Sequence, residues 1–224
     1  MTVLAFDCAV SGMTVAVVRD GVRLAGLADD GRDQAARLLP AIGSALGDAA
    51  VDRRQLSLVA VTVGPGSFTG VRVGLAAARG LAVGLAVPLA GITTTAVLLA
   101  QAASRDRLVV AAIDSRLGDW FCAIAEGDAA PFVSSARELA LRIAGRPCVV
   151  VGSGAKALAD ELLADGIDAV AEEAVPDAVT LAHLAAETGV EAWRVRNAEE
   201  GLPRPLYLRG VNITLPDGAR RTVE

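Results

Sequence analysis

Apolar positions in the first sixty residues of this chain form short runs and then a helical stripe. Residues 3–7 and 13–18 read as strands, and Asp20-Gly21 is a hairpin turn signal that leads into a third strand at 22–27. An amphipathic helix is predicted over roughly 33–46, with Ala36, Leu39, Ile42 and Leu46 on one stripe. Positions 58–63 form a continuous run, apolar but for Thr62, as in a strand buried on both faces. A glycine-rich turn and a helix over about 67–83 follow, then a strand at 87–92 and a helix at 94–103. Polarity rises around 104–107, and the pattern partly restarts. Strands are predicted at 108–113, 120–125 and 148–151, and helices at 136–144, 154–164 and 179–187, before a Pro- and Gly-rich tail past Glu200. The expected architecture is α/β in two lobes, residues 1–104 and 105–224, each opening with antiparallel strands as a duplicated unit would.

Composition narrows the function classes. Of 224 residues 53% are hydrophobic, which supplies a core and excludes a disordered chain. The 21 basic and 26 acidic residues leave a net charge of −5, a sign that repels phosphate backbones. Aromatic residues are 3% of the chain, so platforms for stacking unpaired bases are few. Cys8, Cys122 and Cys148 lie far apart and are odd in number, the pattern of reduced, buried thiols in a cytoplasmic protein. The opening Met1-Thr2-Val3-Leu4-Ala5-Phe6-Asp7 has no basic stretch before its apolar run and does not read as a signal peptide. Gly80 to Ser104 carries no charge and is long enough to span a bilayer. Pro88, Gly91 and the Thr93-Thr94-Thr95 triplet divide it, so a soluble, buried segment is expected.

The chemistry-bearing residues are sparse. His183 is the one histidine and Lys156 the one lysine, so a zinc motif of paired histidines cannot be made. His183 stands among Leu181, Ala182 and Leu184 and reads as a half-buried helix residue; no GxSxG elbow or GxxxxGK[ST] loop is present. The strongest local feature is Gly64-Pro65-Gly66-Ser67-Phe68-Thr69-Gly70-Val71-Arg72-Val73-Gly74, between a buried strand and a helix. Its glycine spacing departs from the dinucleotide fingerprint. Gly66, Gly70 and Gly74, followed by Ala78 and Ala82, recur every four residues, so one helix face admits close backbone approach. The opposite stripe, Phe68, Arg72, Leu75 and Arg79, is expected to meet a partner; the alternative is close intramolecular packing with two solvated arginines. Asp7 and Asp114 end the first strand of each lobe, and Gly152-Ser153-Gly154-Ala155 is a strand–turn–helix unit. Together they could form a nucleotide site, and equally serve as turn residues.

These residues resemble one family, the TsaB (YeaZ) proteins of bacterial tRNA threonylcarbamoyladenosine synthesis. The resemblance is carried by residues 64–74, Leu4-Ala5-Phe6-Asp7, Leu38-Leu39-Pro40, Ile113-Asp114-Ser115-Arg116 and Pro205-Leu206-Tyr207-Leu208-Arg209. It implies the two-lobed fold of the actin, sugar-kinase and Hsp70 superfamily, with mixed sheets flanked by helices. It further implies a non-catalytic subunit that binds the catalytic subunit TsaD, is joined by the ATPase TsaE and meets tRNA through the complex; a homodimer through the same helix pair is expected as well, because an exposed apolar helix face should not stay bare in water. On this resemblance Leu38, Leu39, Ser67, Phe68, Thr69, Gly70, Val71, Arg72, Leu75 and Arg79 map to the partner interface. Asp7, Asp114, Gly152 and Gly154 map to a vestigial nucleotide site. No metal and no tightly bound cofactor are implied, with ATP or ADP at the partner interface left open. Gln34 stands where family members often have a histidine, and Cys8-Ala9 stand where fold relatives want a glycine. The competing expectation is an ATP-dependent small-molecule kinase of the same fold, built on Asp7, Asp114 and the Gly152 turn.

Overall fold

The computed structural model describes residues 1–31, 33–102, 106–209, 211–214 and 220–223. The first sheet holds β1 (Thr2–Asp7), β2 (Met13–Arg19), β3 (Val22–Asp29), β4 (Leu58–Thr62) and β5 (Leu89–Ile92) in the order β3-β2-β1-β4-β5. β1 to β3 form an antiparallel meander, whereas β4 and β5 join in parallel through the crossover helices α1 (Gln34–Asp48) and α2 (Phe68–Leu85). After α3 (Thr94–Gln101) the arrangement repeats. β6 (Leu108–Asp114), β7 (Trp120–Ile124), β8 (Phe132–Ser134), β9 (Cys148–Val151) and β10 (Ala169–Glu172) take the order β10-β9-β6-β7-β8, with α4 (Ala136–Arg142) and α5 (Ala155–Ala164) as crossovers. This is the duplicated two-lobed plan of the actin, sugar-kinase and Hsp70 fold, as expected.

Side chains of β1 alternate between two cores. Leu4 and Phe6 pack with Leu38, Ile42, Val71 and Leu75 beneath α1 and α2. Val3 and Ala5 face the other way, onto Leu181, Ala182, Ala185 and Trp193 of α6 (Ala178–Thr188) and α7 (Val190–Glu200). The second sheet is covered reciprocally. Val110 and Ala112 face α4 and α5, while Val109, Ala111 and Ile113 face Leu98 and Leu99 of α3. Each sheet therefore takes its second cover from a helix of the other half of the chain. The expected boundary between 104 and 105 lies outside the described residues.

Two expectations need correction. The buried stripe of α1 is Leu38, Ala41, Ile42 and Ala45, one register away from the predicted Ala36, Leu39, Ile42 and Leu46. A step of one residue turns a helix by 100°, so Leu39 swings outward and is 57% exposed. His183 is exposed rather than half-buried, and its Nε2 lies 3.1 Å from the Gly21 carbonyl oxygen on the β2–β3 turn. The long uncharged segment divides into the end of α2, β5 and α3. Among the described residues α2 is the one helix long and apolar enough to cross a membrane, and here it packs on the first sheet through Val71, Leu75, Ala78 and Ala82. The strands β8 and β10, α7 and the hairpin of β11 (Val211–Thr214) with β12 (Arg220–Val223) had no predicted counterpart. All three cysteines are free and buried, as expected, and burial pushes the Cys8 and Cys122 thiols up to about 12.

Candidate functional site

The centre of the site is the junction of the β1–β2 loop with the turn before α2. Ser67 caps α2, its Oγ accepting the Gly70 N–H at 3.3 Å, and its own N–H donates to the Ala9 carbonyl at 2.6 Å. That hydrogen bond draws the loop onto the helix start. A Cβ on Gly70 would sit 1.9 Å from the Cys8 carbonyl oxygen, and one on Gly66 would sit 2.0 Å from that of Ala9. The glycine side of α2 thus lies against backbone, as its spacing predicts. Gln34, where a histidine is common in the resemblance, ties α1 to the same loop by donating its side-chain amide to the Gly12 carbonyl.

Between the lobes lies a cleft of about 560 Å³. One wall is Ala9, Val10, Ser11 and the Gly66–Thr69 turn; the other is Ile113 to Arg116, Phe121 and Ser153. Of the four residues expected to form a nucleotide site, Asp114 alone lines it, accepting the Arg116 N–H at 2.7 Å. Asp7 is 2% exposed and turned inward, where it accepts the Ala9 N–H at 3.1 Å and the Thr62 hydroxyl. Desolvation raises its pKa from 3.8 to about 6 against these two hydrogen bonds. Gly152 and Gly154 are also buried, and their N–H groups donate to the carbonyls of Glu172 and Ala112 at 3.1 Å each. Both amides are engaged within the chain, and the Asp7 carboxylate is buried on its own hydrogen bonds rather than lining the cleft. The residues present do not fit a nucleotide bound as the fold's kinases would bind it, and among the described residues no three His, Cys, Asp or Glu side chains gather into a metal site.

The expected partner set divides in a similar way. Leu38, Val71 and Leu75 are 1%, 3% and 2% exposed, and Gly70 is buried, so none of the four offers surface to another chain. Their reason is periodicity: they lie on the stripes that α1 and α2 turn to the sheet. Leu39, Ser67, Phe68, Thr69 and Arg72 are exposed. Arg79 is half-buried, and its guanidinium donates to the Pro203 carbonyl, at 3.1 Å from Nε.

Sequence reasoning passed over several residues of this face. Ala76, Gly80, Val83 and Gly84 continue the uncovered side of α2, and Pro40, Gly43 and Gly47 continue that of α1. Their signal was their smallness, which gives no apolar stripe to count. It also missed Tyr207 as a neighbour of α2. The ring stacks on Phe68 with centroids 5.5 Å apart, and the Arg72 guanidinium lies 3.7 Å above the Phe68 ring.

Comparison with known proteins places this geometry. The family model described as TsaD, tRNA N6-adenosine threonylcarbamoyltransferase, matches residues 30–130. The tRNA threonylcarbamoyladenosine biosynthesis protein TsaB of Escherichia coli (strain K12) is 36% identical over 126 residues, 55% of this chain and 54% of that protein, so the match spans about half of the relative's length. An uncharacterized protein of Mycobacterium tuberculosis (strain H37Rv) is 36% identical over 157 residues, 65% of this chain and 72% of its own. The solved YeaZ from Pseudomonas aeruginosa superposes with a TM-score of 0.71 at 25% identity, covering 92% of this chain and 99% of that one. With the turn onto α2, the helix pair and the duplicated sheets all in place, the chain belongs to the TsaB (YeaZ) family.

Proposed function

We propose that this chain works in tRNA threonylcarbamoyladenosine biosynthesis as a non-catalytic subunit, binding and activating a TsaD-type threonylcarbamoyltransferase, with the ATPase TsaE joining the pair. The observation that carries the reading is the uncovered side of α1 and α2. Leu39, Gly43 and Gly47 on one helix, and Ala76, Gly80 and Val83 on the other, are exposed, small or apolar, and carry no charge. Side chains of this size let a partner helix approach closely, and such a surface gains free energy when water leaves it. The match of residues 30–130 to the TsaD model adds a reason for choosing that partner. Related lobes can pair about a pseudo-two-fold axis with like surfaces in contact. By the same argument, the free chain covers this side with a second copy of itself.

The inward Asp7 and the engaged Gly152 and Gly154 amides support a role outside the chemical step and weigh against the kinase reading. The net charge of −5 supports contact with tRNA through the complex rather than by this chain alone, and the reduced cysteines suit the cytoplasm.

The test is a reconstitution from this chain, TsaD, TsaE, threonylcarbamoyl-adenylate and tRNA, with the modified nucleoside measured by mass spectrometry as components are left out singly. Product is expected to require both this chain and TsaD. Undiminished product without this chain would overturn the proposal, and tight Mg-ATP binding by the chain alone would restore the kinase.

A further inference from the structure

The segment Leu202–Arg209 leaves α7 and runs over both lobes. On the first lobe Pro203 lies over β5, at a place where a Cβ on Gly91 would come within 2.5 Å of the proline ring. The Pro203 carbonyl accepts Arg79, and the Leu206 N–H donates to the Val63 carbonyl at 2.8 Å, just past the end of β4. Tyr207 then stacks on Phe68 and accepts the Arg72 Nε–H at 2.8 Å. Two residues later the segment reaches the second lobe, where Arg209 forms an ion pair with Asp119. Asp119 belongs to the β6–β7 loop and holds its shape, accepting the Ser115 hydroxyl while its carbonyl accepts the Ser115 N–H at 3.2 Å.

One anchor point, Phe68, belongs to a wall of the interlobe cleft, and the other, Asp119, is hydrogen-bonded to Ser115 of the opposite wall. Phe68 lines it on one side, and Ser115 and Arg116 line it on the other. The lobes also meet through the packing of α3 on the second sheet and of α6 on the first, and through Val10 of the β1–β2 loop against the core of the second sheet, contacts about which the two sheets can hinge. We infer that residues 202–209 act as a strap across this hinge, setting the separation of the cleft walls through the Tyr207–Phe68 stack at one end and the Arg209–Asp119 ion pair at the other. The strap is seated on the first lobe by a proline, two arginine contacts and a backbone hydrogen bond. On the second lobe it is held by one partly exposed ion pair, whose side chains are 34% and 20% exposed. A partly exposed ion pair of this kind is the weaker of the two anchors, so the clasp opens at its second-lobe end first.

The experiment measures the separation directly. Ser11→Cys and Leu117→Cys place spin labels on the two sides of the cleft, while the three native cysteines stay buried and unlabelled. Pulsed dipolar spectroscopy on the full chain is expected to give a narrow distance distribution. Arg209→Glu and, separately, Tyr207→Ala are each expected to shift it to longer distance and roughly double its width. Circular dichroism and thermal unfolding of each variant confirm that the fold is kept. A distribution unchanged by both substitutions overturns the strap. So does a change with Arg209→Glu alone, because a strap must transmit from both of its ends.

Discussion

Arg72 donates its Nε–H to the Tyr207 hydroxyl at 2.8 Å, joining residues 135 positions apart in sequence. The contact lies at the exposed start of α2, beside the side proposed to meet a partner. Arg72→Glu reverses the charge there and leaves the core untouched. It is expected to weaken co-elution with TsaD by tenfold or more while changing the melting temperature by no more than about 4 °C, the shift that 1 kcal/mol brings in a domain of this size. Size-exclusion chromatography of the mixed subunits and a thermal melt check both halves.

Gly70 gives a sharper result. Gly70→Val would drive a side chain into the Cys8 carbonyl, which the β1–β2 loop cannot move without breaking the Ser67–Ala9 hydrogen bond. A loss of about 3 kcal/mol or more is expected in urea unfolding. Gly80→Ala, about three turns further along α2 in open surroundings, is expected to stabilise by about 0.5–1 kcal/mol, since nothing lies within 4 Å of its added Cβ.

Asp7 makes stability depend on pH in a definite direction. Its folded pKa of about 6 lies above the ordinary carboxylate value of 3.8, so the native state holds the proton more tightly than the unfolded chain. The contribution of Asp7 is therefore full below pH 4 and is lost as pH rises to about 6, some 3 kcal/mol at about 1.4 kcal/mol per pH unit. Asp7→Asn keeps an acceptor for Ala9 and removes the titration. Its stability relative to the parent is expected to rise between pH 4 and pH 7, measured by urea unfolding at each pH; a difference independent of pH would exclude the effect.

Leu181 closes the first sheet from the far end of the chain. It is fully buried against Val3, Ala5 and their neighbours. Leu181→Ala is expected to cost about 2–5 kcal/mol. A fragment ending at residue 104 lacks α6 altogether and is expected to be unfolded or aggregated by circular dichroism and light scattering.

The alternation of cores explains what was legible before the structure. β1, β4 and β6 announce themselves as mainly apolar runs because both faces of each are covered, and the α2 glycines announce a close backbone approach. Leu38 and Leu39 were harder to separate. Adjacent leucines start a helical stripe equally well, and only the position of β1 and β2 decides which turns inward. α7 carries charges around most of its circumference and is held by the Trp193 indole, Val190 and the hydrogen bonds of Asn197 to Leu89, too little apolar periodicity to read. The Tyr207–Phe68 pairing joins distant residues through a segment without regular structure, for which no local pattern exists. Asp7 shows the remaining limit: a carboxylate at a strand end reads alike whether it faces a cleft or the interior.

The exchange of helices between the two halves bears on how the chain is made. On a ribosome the first sheet emerges complete by residue 92, yet the helix that covers one of its faces does not begin until Ala178. For the synthesis of more than eighty further residues, Val3, Ala5, Ala16, Val18, Ala60 and Ala90 present an unfinished apolar face. That nascent surface is what a chaperone would recognise, and its exposure ends only when α6 has left the exit tunnel.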